Sequence, residues 1–119
     1  LAHWRDNYKP LAPYDTILEN QKRNLHTLLL LDIDEKLGPL YPEKAAKILL
    51  EIEKIKNKKI LSPQTKVVVL QGLGWKKEKI AFICLKDLLV WKSKKGDPPA
   101  VLIVPGKLHF LEEEFLTNL

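Results

Sequence analysis

An α/β domain with a mixed sheet and flanking helices is what this sequence predicts, on three observations. Segments with apolar residues at helical spacing alternate with short runs of β-branched and apolar residues. Proline and glycine fall between these segments rather than inside them. The 119 residues leave room for a single core. The predicted order is α, β, α, β, β, α, β, α.

Residues 1–12 hold Trp4, Tyr8 and Pro10 in an irregular mixture and read as an extended lead-in. From Pro13 the apolar positions Tyr14, Ile17, Leu18 and Leu25 are helically spaced, so a helix is expected to about Asn24. Pro13 suits its first turn, where a missing N–H is harmless. Residues 27–33 form an apolar run closed by Asp32 and Asp34, which predicts a strand buried on both faces. Residues 34–40 contain Gly38-Pro39 and predict a loop.

Pro42 opens a second helix, with Glu43 in its first turn and Lys54, Lys56, Lys58 and Lys59 near its end, as the helix dipole prefers. Its apolar stripe is Ala45, Ile48, Leu49, Ile52 and Ile55. Ser62-Pro63 marks a turn before a β-branched strand at residues 66–70. Gly72-Leu73-Gly74 follows as a loop where backbone can approach a ligand closely, and residues 80–84 read as the next strand. The short connection between these strands predicts an antiparallel pair. Leu85, Leu88 and Leu89 suit a short helix, ended by the solvated residues 92–96 and the rigid Asp97-Pro98-Pro99 turn. Residues 100–104 form a last apolar strand, and residues 109–119 a terminal helix with Glu112, Glu113 and Glu114 in its early turns.

Lys and Arg number 20 against 15 Asp and Glu, a net charge of +5, which describes a basic but mixed surface rather than a dedicated nucleic-acid arm. The single cysteine, Cys84, excludes an internal disulfide framework and a cysteine-cluster zinc site. A reducing compartment, the cytoplasm, is the default location. The longest strongly apolar run, residues 28–31, is far too short to cross a bilayer. The absence of Met, including at position 1, suggests a piece of a longer chain.

Few residues propose chemistry on their own. His3, His26 and His109 are scattered without metal-ligand spacing, and His26 reads as a structural hydrogen-bonding residue. Cys84, inside a predicted apolar strand, reads as core, which would disfavour its thiolate. Asp32 and Asp34 close a strand and could be general bases, or ordinary turn acids. Gly72-Leu73-Gly74 lacks the full dinucleotide fingerprint. The lysines within 54–59, 76–79 and 92–95, with Trp75 and Trp91 nearby, sketch a nucleic-acid footprint, but Glu51, Glu53, Glu78 and Asp87 interrupt it. A solvated face accounts for them better.

The words of the sequence carry more. The run Pro13-Tyr14-Asp15-Thr16-Ile17, then Asn20 and His26-Thr27-Leu28-Leu29-Leu30-Leu31-Asp32-Ile33, resembles the carboxyl-terminal half of the diphthine synthase family, in which P-Y-D-x-I-x-x-N precedes H-T-L-x-L-L-D-I. Residues 48–53 echo the family's L-L-x-I-E helix. Gly96-Asp97-Pro98-Pro99-Ala100-Val101-Leu102-Ile103-Val104-Pro105-Gly106-Lys107-Leu108-His109 resembles its long closing motif, G-x-P-P-H-x-L-I-x-P-G-K-L-H. The resemblance runs collinearly through nearly the whole chain.

It implies the second, C-terminal domain of a two-domain methyltransferase of the tetrapyrrole methylase (class III) superfamily, with S-adenosyl-methionine held between the domains and the first domain absent from residues 1–119. It implies translation elongation factor 2 as protein substrate, methylated on its modified histidine in diphthamide biosynthesis, and a homodimer. No catalytic nucleophile is implied, because methyl transfer from a sulfonium is a direct displacement. Matching residue by residue, the family's cofactor contacts in this half fall on Leu31, Leu73 and Ala100. Two departures stand out. The family's A-R-V-G-S or A-R-A-G-S loop is Gln71-Gly72-Leu73-Gly74-Trp75, and the histidine of P-P-H is Ala100. Two alternatives therefore stand beside the methyltransferase: a non-catalytic protein-binding domain of the same fold, and an RNA-binding module built on the lysines.

Overall fold

The computed structural model describes residues 1–76 and 78–119; Lys77, one of the clustered lysines, lies outside them. Its elements are α1 (Ala12–Lys22), β1 (Thr27–Leu30), β2 (Ile33–Asp34), β3 (Gly38–Pro39), α2 (Pro42–Lys56), β4 (Lys66–Gln71), β5 (Lys79–Cys84), α3 (Leu85–Leu88), β6 (Ala100–Val104) and α4 (Phe110–Thr117). Both long helices begin with proline in the first two positions, and α2 ends at Asn57 in the left-handed conformation (φ 51°). No helix among the described residues is long and apolar enough to cross a membrane.

The α/β class with flanking helices is as the sequence predicts, and the sheet is more uniform than the mixed one expected. Its order is β1-β6-β4-β5, and every pairing in it is antiparallel. The last strand, β6, inserts between β1 and β4, so the sheet closes only when the C-terminal part of the chain is in place. Most of residues 34–40, expected as loop, instead belongs to a hairpin in which β2 and β3, two residues each, pair across residues 35–37.

The register sorts side chains by face. Leu29, Leu102 and Val69 stand in one row on the covered face, beside Thr27, Val104 and Val67. They pack with Tyr14 and Ile17 of α1, with Ala45, Leu49 and Ile52 of α2, and with Leu85 and Leu88 of α3. Burying a side chain of this size contributes about 1.5–3 kcal/mol, so this layer holds the fold.

Three further expectations need correction. β1 is buried on one face only: Thr27 and Leu29 are buried, whereas Leu28 is 58% and Leu30 65% exposed. The cause is that α1, α2 and α3 cover one side of the sheet. Ile55 does not join the α2 stripe and is 58% exposed, because the buried stripe stops at Ile52. Cys84 is half-buried rather than core, since it ends β5 and its Sγ donates to Asp87 Oδ2 at 3.1 Å.

Candidate functional site

The three candidate contact positions gather at one end of the sheet. Leu30 of β1 faces Val101 of β6, which faces Leu70 of β4, and one residue further Ala100 faces Gln71. Leu31 is therefore the next residue in the same row, where β1 leaves the sheet. Leu31, Ala100 and Gln71 are all buried, at 6%, 5% and 1% exposure. Leu73 differs. It sits on the turn after β4, closed by Trp75 N–H donating to Gly72 O at 2.9 Å, and is 51% exposed.

That turn is bound to the start of β6. Gly72 N–H donates to Pro99 O at 3.1 Å, and Gln71 Nε2 donates to Pro98 O at 3.0 Å. The buried Gln71 is completed by Trp91 Nε1, which donates to its Oε1 at 3.1 Å. Gly72 has φ +66°, and a Cβ there would meet Pro98 Cγ at 2.6 Å, so only glycine lets the two loops touch this closely. Gly74, with φ +82°, faces open space. Its N–H is held by Glu78 Oε2 at 3.0 Å. The departure from the family's loop thus keeps a tight, glycine-bearing turn with exposed backbone, a shape a cofactor can approach. Ala100 offers no imidazole, and its methyl group is in the core.

Other candidates are engaged structurally. Asp34 Oδ1 accepts from Leu37 and Lys36 N–H, each at 2.8 Å, and its Oδ2 pairs with Arg5. The two N–H groups, first Leu37 and then Lys36, hold its carboxyl below the ordinary value. It caps a turn. Asp32 side chain is exposed, while its backbone links Leu1 and Leu40. His3 is buried and its Nε2 lies 2.9 Å from Gly38 O.

His26 is the structural residue the sequence suggests. Its Nδ1 accepts from Gly106 N–H at 3.0 Å and its Nε2 lies 2.9 Å from Glu112 Oε2. The two most recognisable phrases, His26-Thr27-Leu28 and Pro105-Gly106-Lys107-Leu108-His109, are thereby joined. Gly106 also packs so closely on the Leu25 backbone that a Cβ would collide with it. His109 caps α4 through Nδ1, which accepts from Leu111 N–H at 3.3 Å. Its N–H, and then the His26 ring, hold Glu112 below its ordinary pKa.

Sequence reasoning missed Gln71 and Glu53. Gln71 carries a signal, a lone amide ending an apolar strand before glycine. Glu53 is the acid of the L-L-x-I-E phrase, but nothing in that phrase shows its role, since most of its partners are the backbone N–H groups of residues 59–61.

The outer face of the sheet is apolar too. Between it and α4 runs a groove of about 570 Å³, lined by Val68, Leu70, Ile80 and Ile103 from the sheet and Leu111 and Phe115 from α4. His26 and Glu112 mark its polar end.

Comparison with known proteins agrees with this geometry. The chain is 40% identical over 117 residues to the diphthine synthase of Methanocaldococcus jannaschii, covering 96% of this chain and 45% of that protein. It is 39% identical over 106 residues to the diphthine synthase of Sulfurisphaera tokodaii, covering 88% of this chain and 41% of that one. Among solved structures, the Entamoeba histolytica protein assigned as a diphthine synthase superposes with a TM-score of 0.89 at 29% identity, over 99% of this chain and 48% of its own. A further diphthine synthase structure gives 0.73 at 25% identity, over 93% of this chain and 41% of its own. The chain therefore spans less than half the length of the curated relatives it matches. No protein-family model matches it.

Proposed function

Because this chain is homologous to the diphthine synthases over nearly all of its residues, we propose that it forms the C-terminal domain of an S-adenosyl-methionine-dependent methyltransferase acting in diphthamide biosynthesis. The observation that carries the reading is the 40% identity over 117 residues, joined to a fold that matches at a TM-score of 0.89. The protein substrate in this reading is translation elongation factor 2, methylated on its modified histidine in the cytoplasm.

The cofactor supplies the methyl group and its own leaving group. This chain's part is to bind and orient, which is where most of the acceleration of a direct displacement arises. The Leu73 turn and the Pro99-Ala100 segment, tied together by Gly72 N–H and Pro99 O, offer one wall of the cofactor cleft. Leu31, buried where β1 leaves the sheet, is the third contact position in this reading. Contacts at Leu73 and Ala100 run through backbone, which makes them tolerant of the side-chain departures at these positions. In the whole protein we also expect a homodimer, for which the apolar outer face of the sheet and the exposed Phe110, Leu111 and Phe115 provide surface.

The test is transfer of a labelled methyl group from S-adenosyl-methionine to elongation factor 2 carrying the modified histidine, by the whole protein that contains this chain. Labelled elongation factor supports the reading. An unlabelled product, with cofactor bound, favours the non-catalytic domain instead.

A further inference from the structure

Beside the Leu73 turn lies a second, smaller cavity that the methyltransferase reading does not use. Its volume is about 130 Å³, and it is lined by Gln71, Lys79, Lys92, Lys94, Asp97 and Pro98. Three lysines thus line it with one aspartate. None of the three lysines forms an ion pair among the described residues.

The segment presenting two of these lysines is held from several sides. Glu43 of α2 accepts from both Ser93 N–H, at 2.9 Å, and Ser93 Oγ, at 2.8 Å. Asp97 Oδ2 accepts from Lys94 N–H at 2.7 Å, and Tyr41 donates its hydroxyl to Asp97 O at 3.0 Å. The stems of Lys92 and Lys94 therefore start from a fixed backbone. Lys79 comes from β5 across the cavity, with its Nζ 5.6 Å from the centre of the Trp91 ring. The same indole donates to Gln71, whose amide holds Pro98. The floor is thus a connected set of hydrogen bonds, and three lysines against one aspartate leave the rim with a net positive charge that an anion would complement.

We propose that this lysine pocket docks an acidic segment of the protein substrate next to the methyl-transfer cleft. The inference rests on the proposed function for the existence of a protein substrate. It takes its own support from position: Gln71 and Pro98 immediately precede the Gly72-Leu73 turn and the Pro99-Ala100 segment, so pocket and cleft wall share the same two loops. A carboxylate side chain fits the volume and the ammonium donors. Single-stranded nucleic acid binds by stacking bases on free aromatic faces, and the pocket itself offers none, since Trp91 is engaged by Lys79 and Gln71.

The experiment uses the whole protein containing this chain and a fluorescein-labelled oligoglutamate peptide, read by anisotropy at low and at physiological ionic strength. The variant Lys79→Gln/Lys92→Gln/Lys94→Gln is compared with Lys44→Gln/Lys47→Gln/Lys86→Gln, which removes the same charge from exposed positions on α2 and α3. All six positions are exposed, and thermal melts verify that both variants fold. The expected result is a loss of about tenfold in peptide affinity for the first variant and less than about twofold for the second. Equal losses in both would reduce the effect to bulk charge and overturn the proposal. So would unstructured single-stranded RNA that binds more tightly than the peptide and is lost in the same variant. S-adenosyl-methionine titrated into the same wild-type protein separates the two readings: cofactor bound without peptide sinks the docking site alone, and peptide bound without cofactor sinks the methyltransferase reading alone.

Discussion

Tyr14 of α1 donates its hydroxyl to Glu53 Oε2 of α2 at 3.0 Å, and the same hydroxyl oxygen accepts from Lys58 N–H at 3.1 Å. Tyr14 is fully buried. Glu53 Oε1 accepts from Ile60 and Leu61 N–H at 2.8 and 2.7 Å, and its Oε2 also accepts from Lys59 N–H at 3.2 Å. One carboxylate and one phenol therefore fasten the first helix, the second helix and the turn that leads into β4. Removing the hydroxyl leaves the Lys58 N–H without its acceptor and Glu53 without one donor. Tyr14→Phe is expected to cost about 1–3 kcal/mol, read as a lower urea midpoint with an unchanged slope. An unchanged midpoint would mean the pair does not hold these elements together.

The same carboxylate gives stability a pH dependence. Burial pushes Glu53 up, but the N–H of Leu61, the Tyr14 hydroxyl, and the N–H groups of Lys59 and Ile60 outweigh it and hold the group below its ordinary value of 4.5. A lowered folded pKa means that the unfolded chain binds the proton first. The contribution is complete above the ordinary value and is lost as pH falls through it toward the lowered folded one. Urea titrations of wild type and Glu53→Gln from neutral pH downward should show a stability gap that shrinks across that window. A constant gap would contradict the assignment.

Gly72→Ala tests the contact between the two loops. The substitution strains a backbone at φ +66° and drives a methyl group against the Pro98 ring, which cannot swing away. A loss of about 1–3 kcal/mol is expected, with weaker cofactor binding by the whole protein because the Leu73 turn and the β6 start must separate. Unchanged stability would show that the loops are not held at this distance.

Ala100→His restores the family's residue at a position this chain has filled differently. With Ala100 buried beside Leu31 and Gln71, an imidazole overfills the layer and is expected to cost roughly 1–3 kcal/mol of stability without cofactor. Thermal melts with and without cofactor check it. Unchanged stability together with a larger cofactor-induced shift would instead put this side chain in the cleft.

Much of the fold was legible because its signals are local. Pro13 and Pro42 mark helix starts, the lysines of residues 54–59 mark a helix end, and Val67-Val68-Val69 announces a strand. The two faces of β1 were not legible, because leucine occupies both parities from Leu28 to Leu31 and alternation in burial leaves no trace in the letters. Insertion of β6 between β1 and β4 is a long-range choice that no local pattern records. In the site, Leu31 and Ala100 are indistinguishable from core by spacing, and only the resemblance singled them out. Gln71 was readable in principle as a lone polar residue ending an apolar strand, whereas Glu53 stood out only as a letter of the L-L-x-I-E phrase, because its partners are mainly backbone N–H groups that no side-chain pattern records.

The central claim, that this chain supplies one wall of a two-domain methyl-transfer site, is tested most directly by calorimetric titration of S-adenosyl-methionine into the isolated 119-residue chain and into the whole protein that contains it. One equivalent bound by the whole protein, with weak or no binding by the isolated chain, is the result predicted, because a cleft between domains loses a wall when one domain is removed. Tight stoichiometric binding by the isolated chain, or none by the whole protein, would contradict it.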